Sequence, residues 1–306
     1  MTLDPQLKRY LEEHPTTMPA GPMTPQALRI AVRSMPQATG GGEAEPVARV
    51  EGRQIPVEGG RITLRIYRPD GQGPFPVLVY YHGGGFVVGD LDMVDGLCRH
   101  IVNRARCVVV SVAYRLAPEH PFPTAVEDGY AALRWVEETA KTFDGDPTRM
   151  AVFGDSSGGT IATVATLMAR DRSGPRVRLQ VLAYPPVDFA ARRPVADPAD
   201  AMADHLHSMY LTGEDAGHNA YASPLLADDL RGLPDALIVT GALDRLRAED
   251  EHYATRLREA GVHVDYLCYE GLPHGFITML GVLDKARDAM QRISMALQAA
   301  FFVANR

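Results

Sequence analysis

Met150-Ala151-Val152-Phe153-Gly154-Asp155-Ser156-Ser157-Gly158-Gly159 is the stretch on which the reading of this chain turns. Four apolar residues predict a buried strand, and an apolar pattern of helical period follows over 156–172. Between them lies G-x-S-x-G. A strand–turn–helix is the setting in which that motif presents a serine hydroxyl above the end of a sheet. The glycines answer a steric need: the turn is tight enough to force the serine into a strained backbone conformation, and flanking side chains would strike the strand or the helix. The helix N-terminus then offers free N–H groups toward the serine oxygen and any oxyanion formed there. Taken alone, the same turn could simply pack, or could bind a phosphate. Its companions decide between these readings.

Outward from this point, strands and helices alternate. Strands are predicted over 46–57, 61–67, 77–82, 107–113, 149–153, 177–183, 236–241 and 264–269, and helices over 123–141, 156–172, 248–261 and 283–301. Val77-Leu78-Val79-Tyr80-Tyr81 and Cys107-Val108-Val109-Val110-Ser111-Val112 are apolar on both faces, as central parallel strands are. The pattern predicts an α/β fold: a mostly parallel eight-stranded sheet with helices on both faces. Ligands in such sheets bind at the carboxyl ends of the strands, so functional residues belong just after strands. Residues 1–45 read as a helical arm packed on the main domain rather than as an independent fold. Leu3, Leu7, Tyr10 and Leu11 recur at helical spacing, and a second helix is expected over Pro25 to Met35 with Thr24 as its N-cap. Thr39 to Gly42 reads as a connector. Residues 185–235 break the alternation.

The strand ending at Tyr81 runs into His82-Gly83-Gly84-Gly85-Phe86. Three successive glycines can turn their N–H groups outward with no Cβ in the way. With the N–H of Ser157, which follows the serine, Gly83, Gly84 and Gly85 are candidate donors to a tetrahedral oxyanion. A phosphate cradle is the alternative, but G-x-G-x-x-G is lacking here and no G-K-[ST] is usefully placed. His82 is expected to brace the loop, or else to act as a base.

Ten histidines compete for the role of general base. His14, His205, His207 and His218 fall in the arm or the irregular region. His100, His252 and His263 lie in or beside element patterns, and His120 sits in a proline-rich turn. His274 alone follows a late strand, in Gly271-Leu272-Pro273-His274-Gly275-Phe276. The acid is expected after the preceding strand, where Ala242-Leu243-Asp244 stands; Asp244 could instead cap the helix that begins nearby. The chain order Ser156, Asp244, His274 suits a serine nucleophile on this type of sheet.

Bulk properties exclude several classes. The 306 residues carry a formal net charge of -7 and no run of basic residues, against nucleic-acid binding. Arg172, Arg176 and Arg178, then Arg192 and Arg193, are the tightest basic groups and read as a solvated face. Three widely spaced cysteines, Cys98, Cys107 and Cys268, with no CxxC, suggest neither a disulfide framework nor a zinc site. Cys107 and Cys268 read as small core residues, a reactive thiol being the alternative. No metal or cofactor is called for. No stretch is long enough to span a bilayer and no leader is evident, so a cytoplasmic location is expected.

Together with Tyr114-Arg115-Leu116-Ala117-Pro118-Glu119-His120-Pro121-Phe122-Pro123, Tyr221-Ala222-Ser223-Pro224-Leu225 and Leu272-Pro273-His274-Gly275-Phe276, these motifs make the chain resemble the hormone-sensitive-lipase family of bacterial carboxylesterases, over about residues 1–302. The resemblance implies an α/β-hydrolase catalytic domain over 46–306 with a cap insertion at about 185–222, the arm over 1–45 contributing to the cap. It implies a small-molecule ester of short-to-medium acyl length, no cofactor, and main oxyanion donors on Gly84, Gly85 and Ser157; it allows a homodimer through the last strand and helix. An amidase or peptidase would use the same machinery, and a non-catalytic ligand receptor could share the fold. Two departures stand out. Ser157 replaces the family's usual alanine, and only Gly213 to Ala220 fills a stretch where the family carries more helix. A reduced lid and a more open acyl pocket are therefore expected.

Overall fold

The two apolar runs become neighbours at the centre of one sheet. β3 (Phe75–Tyr81) is buried along its whole length and pairs in parallel with β4 (Val108–Ala113). The structure, a computed structural model, describes residues 2–15, 23–34, 44–191, 198–213 and 215–302. The predicted connector at Thr39 to Gly42, Arg192 and Arg193 lie outside the described residues, as do Met35 and part of the expected cap insertion.

The other strands are β1 (Arg49–Val57), β2 (Gly60–Arg68), β5 (Gly145–Asp155), β6 (Leu179–Ala183), β7 (Asp235–Gly241) and β8 (Val264–Tyr269). They form one eight-stranded sheet in the order β1-β2-β4-β3-β5-β6-β7-β8. Pairing is antiparallel for β1 with β2 and β2 with β4, and parallel elsewhere. From β3 the chain moves outward to β4, then returns to the other side of β3 as β5. The connections after β3 and β5 therefore diverge and leave a crevice between them, the usual ligand position in such sheets.

Side-chain alternation along β3 builds a core on each face. Val77, Val79 and Tyr81 pack with residues of α4 (Thr124–Thr139), α5 (Ser157–Asp171) and α7 (Arg247–Glu259). Leu78 and Tyr80 pack on the opposite face with residues of α3 (Asp95–Ala105) and α8 (Asp284–Phe302). Each such side chain taken from water stabilises the fold by about 1.5–3 kcal/mol, which fixes the strand register and so the positions of the loops.

The N-terminal arm divides. α1 (Pro5–Glu13) buries Leu7 against the α8 side, and Asp4 pairs with Lys285 at 2.9 Å. α2 (Pro25–Ser34) buries Leu28 in the other core, with Thr24 Oγ1 accepting from the Ala27 N–H at its start. The irregular region also contains a helix, α6 (Pro198–Tyr210), which lies over the carboxyl ends of the strands.

Candidate active site

Ser156 stands between β5 and α5 with φ 52° and ψ −126°. A non-glycine residue so placed carries strain of order 1–3 kcal/mol, and such strain persists only where the surroundings hold it. Here the Ser156 N–H donates to the Ala183 carbonyl at 2.9 Å, and the Gly159 N–H donates to the Ser156 carbonyl at 2.8 Å. The glycines are steric necessities: a Cβ on Gly154 would overlap the Gly158 carbonyl, and one on Gly158 would overlap the Tyr81 carbonyl at the end of β3.

Two loops bring the other expected residues to the serine. His274 follows β8, and its Nε2 lies 2.8 Å from Ser156 Oγ. Its Nδ1 lies 2.8 Å from Asp244 Oδ2, on the loop after β7. With the proton on Nδ1, the serine hydroxyl donates to Nε2 and the imidazole donates to the carboxylate. Burial disfavours the imidazolium, but the charge and hydrogen bond of Asp244 outweigh it and hold the His274 pKa above its ordinary value. The ring also rests against Tyr184, with centroids 4.6 Å apart. The two sequence readings of Asp244 coexist on different oxygens, since Oδ1 accepts the Leu246 N–H at 2.8 Å where the chain turns toward α7. The other nine histidines make no hydrogen bond to the serine among the described residues.

The expected oxyanion donors need one correction. The Gly83 N–H is already engaged, donating to Asp155 Oδ1 at 3.1 Å, so Gly83 anchors the loop rather than offering a donor. The Gly84 and Gly85 N–H groups donate to no described protein group, and the Ser157 N–H, at the first position of α5, has no intrahelical acceptor. His82 is fully buried, its Nδ1 2.8 Å from the Gly83 carbonyl and its ring stacked on Tyr114 at 4.4 Å. Burial holds its pKa below the usual range, so it stays a neutral brace.

Asp155 was not singled out by sequence, although it lies inside the G-x-S-x-G motif. Its Oδ1 accepts both the Tyr80 hydroxyl at 2.5 Å and the Gly83 N–H. Burial raises its pKa against these bonds. The residue ties the glycine loop to the strand that carries the serine. No sequence signal separates that role from simple packing.

A cavity of about 800 Å³ opens over this array, with apolar walls that include Val88, Met93, Met202, Leu206, Leu243 and Leu246. Met202 and Leu206 come from α6. Among the described residues no group of three or more His, Cys, Asp or Glu is arranged to hold a metal, and no helix is long and apolar enough to cross a membrane.

Strand order, elbow and the hydrogen-bonded Ser–His–Asp array together define an α/β hydrolase. A family model described as alpha/beta hydrolase fold matches residues 78–278. Esterase LipI of Mycobacterium tuberculosis is 40% identical over 284 residues, covering 89% of this chain and 88% of that protein. Ethyl acetate hydrolase of Pseudomonas putida is 32% identical over 315 residues, covering 97% and 99%. Among solved structures, the hyperthermophilic esterase from Pyrobaculum calidifontis superposes with a TM-score of 0.87 at 37% identity, over 98% of this chain and 99% of that one. The chain belongs to the hormone-sensitive-lipase-like family of α/β hydrolases, and it is a carboxylic ester hydrolase.

Proposed function

We propose that Ser156 is the nucleophile, His274 the general base and acid, and Asp244 the acid partner that orients and charges the imidazole. The observation that carries this is the unbroken hydrogen-bonded chain from Ser156 Oγ through His274 to Asp244, two contacts of 2.8 Å. His274 removes the serine proton as Oγ attacks the ester carbonyl, and the Gly84, Gly85 and Ser157 N–H groups stabilise the oxyanion. The alcohol leaves with the proton from His274. Water then repeats the sequence on the acyl-enzyme and regenerates the serine. A fluorophosphonate probe should label Ser156, and Ser156→Ala should remove both labelling and turnover, a fall on the order of 10⁶ in kcat. Ester turnover surviving in that variant would refute the assignment.

The same reading makes α2 and α6 the cap and short-to-medium acyl esters the substrates. Support comes from apolar cavity walls and from a relative of nearly equal length that acts on ethyl acetate. It extends to a homodimer formed through β8 and α8, since β8 closes the sheet on one side with an edge unpaired among the described residues. A reducing, cytoplasmic setting is supported by three cysteines that all stand as free thiols.

A further inference from the structure

The glycine loop holds an unfavourable backbone. Gly84, Gly85 and Phe86 follow one another with φ of 129°, 59° and 64°. For glycine this is cheap; for phenylalanine it is not. The Val87 and Val88 N–H groups both donate to the Gly84 carbonyl, at 3.1 and 3.0 Å, closing a tight turn directly after the two free donors. Strain of this kind survives only when neighbours over-determine it.

Three hydrogen bonds do so from outside the loop. Asp155 takes the Gly83 N–H, the Ala117 N–H donates to the Phe86 carbonyl at 2.9 Å, and Arg29 Nε donates to the Val87 carbonyl at 2.8 Å. The first two come from the catalytic domain. The third comes from α2, in the N-terminal arm. The Arg29 guanidinium is itself fixed: Nη2 donates to the Ala117 carbonyl at 2.9 Å, and Nη1 and Nη2 grip the two Glu119 oxygens at 2.8 and 2.7 Å. One planar fork therefore joins α2, the Ala117–Glu119 turn and the oxyanion loop. A lysine could supply one of these bonds but not the set.

We infer that Arg29 is a positioning residue for the ester hydrolysis proposed above, holding the Gly84 and Gly85 N–H groups where the oxyanion develops by pinning the carbonyl two residues beyond Gly85. It touches neither the substrate nor the serine. Its effect falls on the transition state, because the donors matter most once charge has formed on the carbonyl oxygen. The N-terminal arm is then part of the rate-determining apparatus as well as a wall of the pocket.

Removing a donor outright costs on the order of 10²–10³ in kcat, so loosening one through its anchor should cost less, about 10-fold. The test compares Arg29→Gln and Arg29→Lys with the unaltered enzyme, using p-nitrophenyl butyrate turnover and inhibition by phenylboronic acid, which adds to the serine as a tetrahedral anion. Arg29→Gln should lower kcat about 10-fold with KM nearly unchanged, weaken boronate inhibition by a similar factor, and be partly rescued in Arg29→Lys. A folded Arg29→Gln with unchanged kcat and unchanged boronate affinity overturns the inference, as does a rise in KM alone. Hydrogen exchange at the Val87 and Val88 amides reads the same tether without turnover and should speed up in both variants; unaltered exchange also overturns it. If the unaltered protein fails to bind fluorophosphonate at Ser156, the hydrolase reading falls, and the exchange measurement still decides whether Arg29 holds the loop.

Discussion

Asp244 divides its work between two oxygens, and the division bears on how the site responds to pH. Oδ1 is engaged by the Leu246 backbone and fixes the carboxylate, while Oδ2 faces His274 Nδ1. The positively charged form of His274 is favoured by Asp244 and, more weakly, by Asp155, and opposed by burial and by Arg245. Because the base must be neutral to take the serine proton, activity should fall as pH drops through a midpoint above 6.5, the ordinary histidine value. In Asp244→Asn the larger attraction vanishes, while the weaker one of Asp155 and the opposing influences remain. The acid limb of kcat/KM should then move to lower pH, while the plateau falls by an amount on the order of 10⁴. A pH–rate series on both forms checks the sign: a limb that stays in place, or moves upward, would mean that Asp244 does not set the charge of the base.

Among the elements, α5 was legible because its sequence satisfies two demands at once: glycines at the turn and a near-continuous apolar pattern after it, matching a helix buried from Ser157 to Ala169. The serine, acid and histidine could be found because each stands just after a strand whose own period is unambiguous. α3 was not among the expected helices, although Leu97, Cys98, Ile101, Val102 and Ala105 are buried along it and it supplies the crossover between β3 and β4. α6 hides better. Only Asp200 and Tyr210 are buried along it, since Met202 and Leu206 lie between the cavity and the core and are only partly covered, which leaves no strong period. The roles of Asp155 and Arg29 were beyond reach for a different reason: each acts through hydrogen bonds to groups far away in the chain. α6 is held to the loop after β7 by Arg245, which pairs with Asp200 and Asp204 at 3.2 and 3.3 Å. Leu206 of the same helix lies so close to Gly85 that a Cβ there would meet its Cδ1 at 2.7 Å. The cavity of about 800 Å³ sits toward the large end of the ~300–1,000 Å³ common for small-molecule sites. Rates should therefore hold or rise from p-nitrophenyl acetate through butyrate to hexanoate. A sharp cutoff at acetate would show that α6 closes the pocket more tightly than its short connection to the Tyr221 segment suggests.

At the scale of the whole molecule, the two sides of the sheet end differently. β1 is tied to β2 along a nine-residue antiparallel ribbon with charged residues such as Arg49, Glu51 and Arg53 on it. β8 bears two isolated exposed positions, Asp265 and Cys268, on a six-residue strand whose outer edge has no partner strand among the described residues. Edges of that kind invite a further strand unless charge or a bulge discourages it. α8 follows β8 after the loop that carries His274 and exposes Met295, which is 60% accessible. A two-fold axis beside this edge would pair β8 with its copy and cover the methionine, giving the self-complementary contact that closed dimers require. The chain's formal charge of -7 opposes that association at low ionic strength, so added salt should strengthen the dimer if apolar burial and strand pairing hold it. Light scattering coupled to size exclusion should give twice the chain mass at micromolar concentration, and Met295→Glu should shift the equilibrium toward single chains by placing like charges across the axis. A protein that stays at single-chain mass over a wide concentration range, with or without salt, would remove the dimer and leave β8 as an edge protected by its shortness and by Asp265.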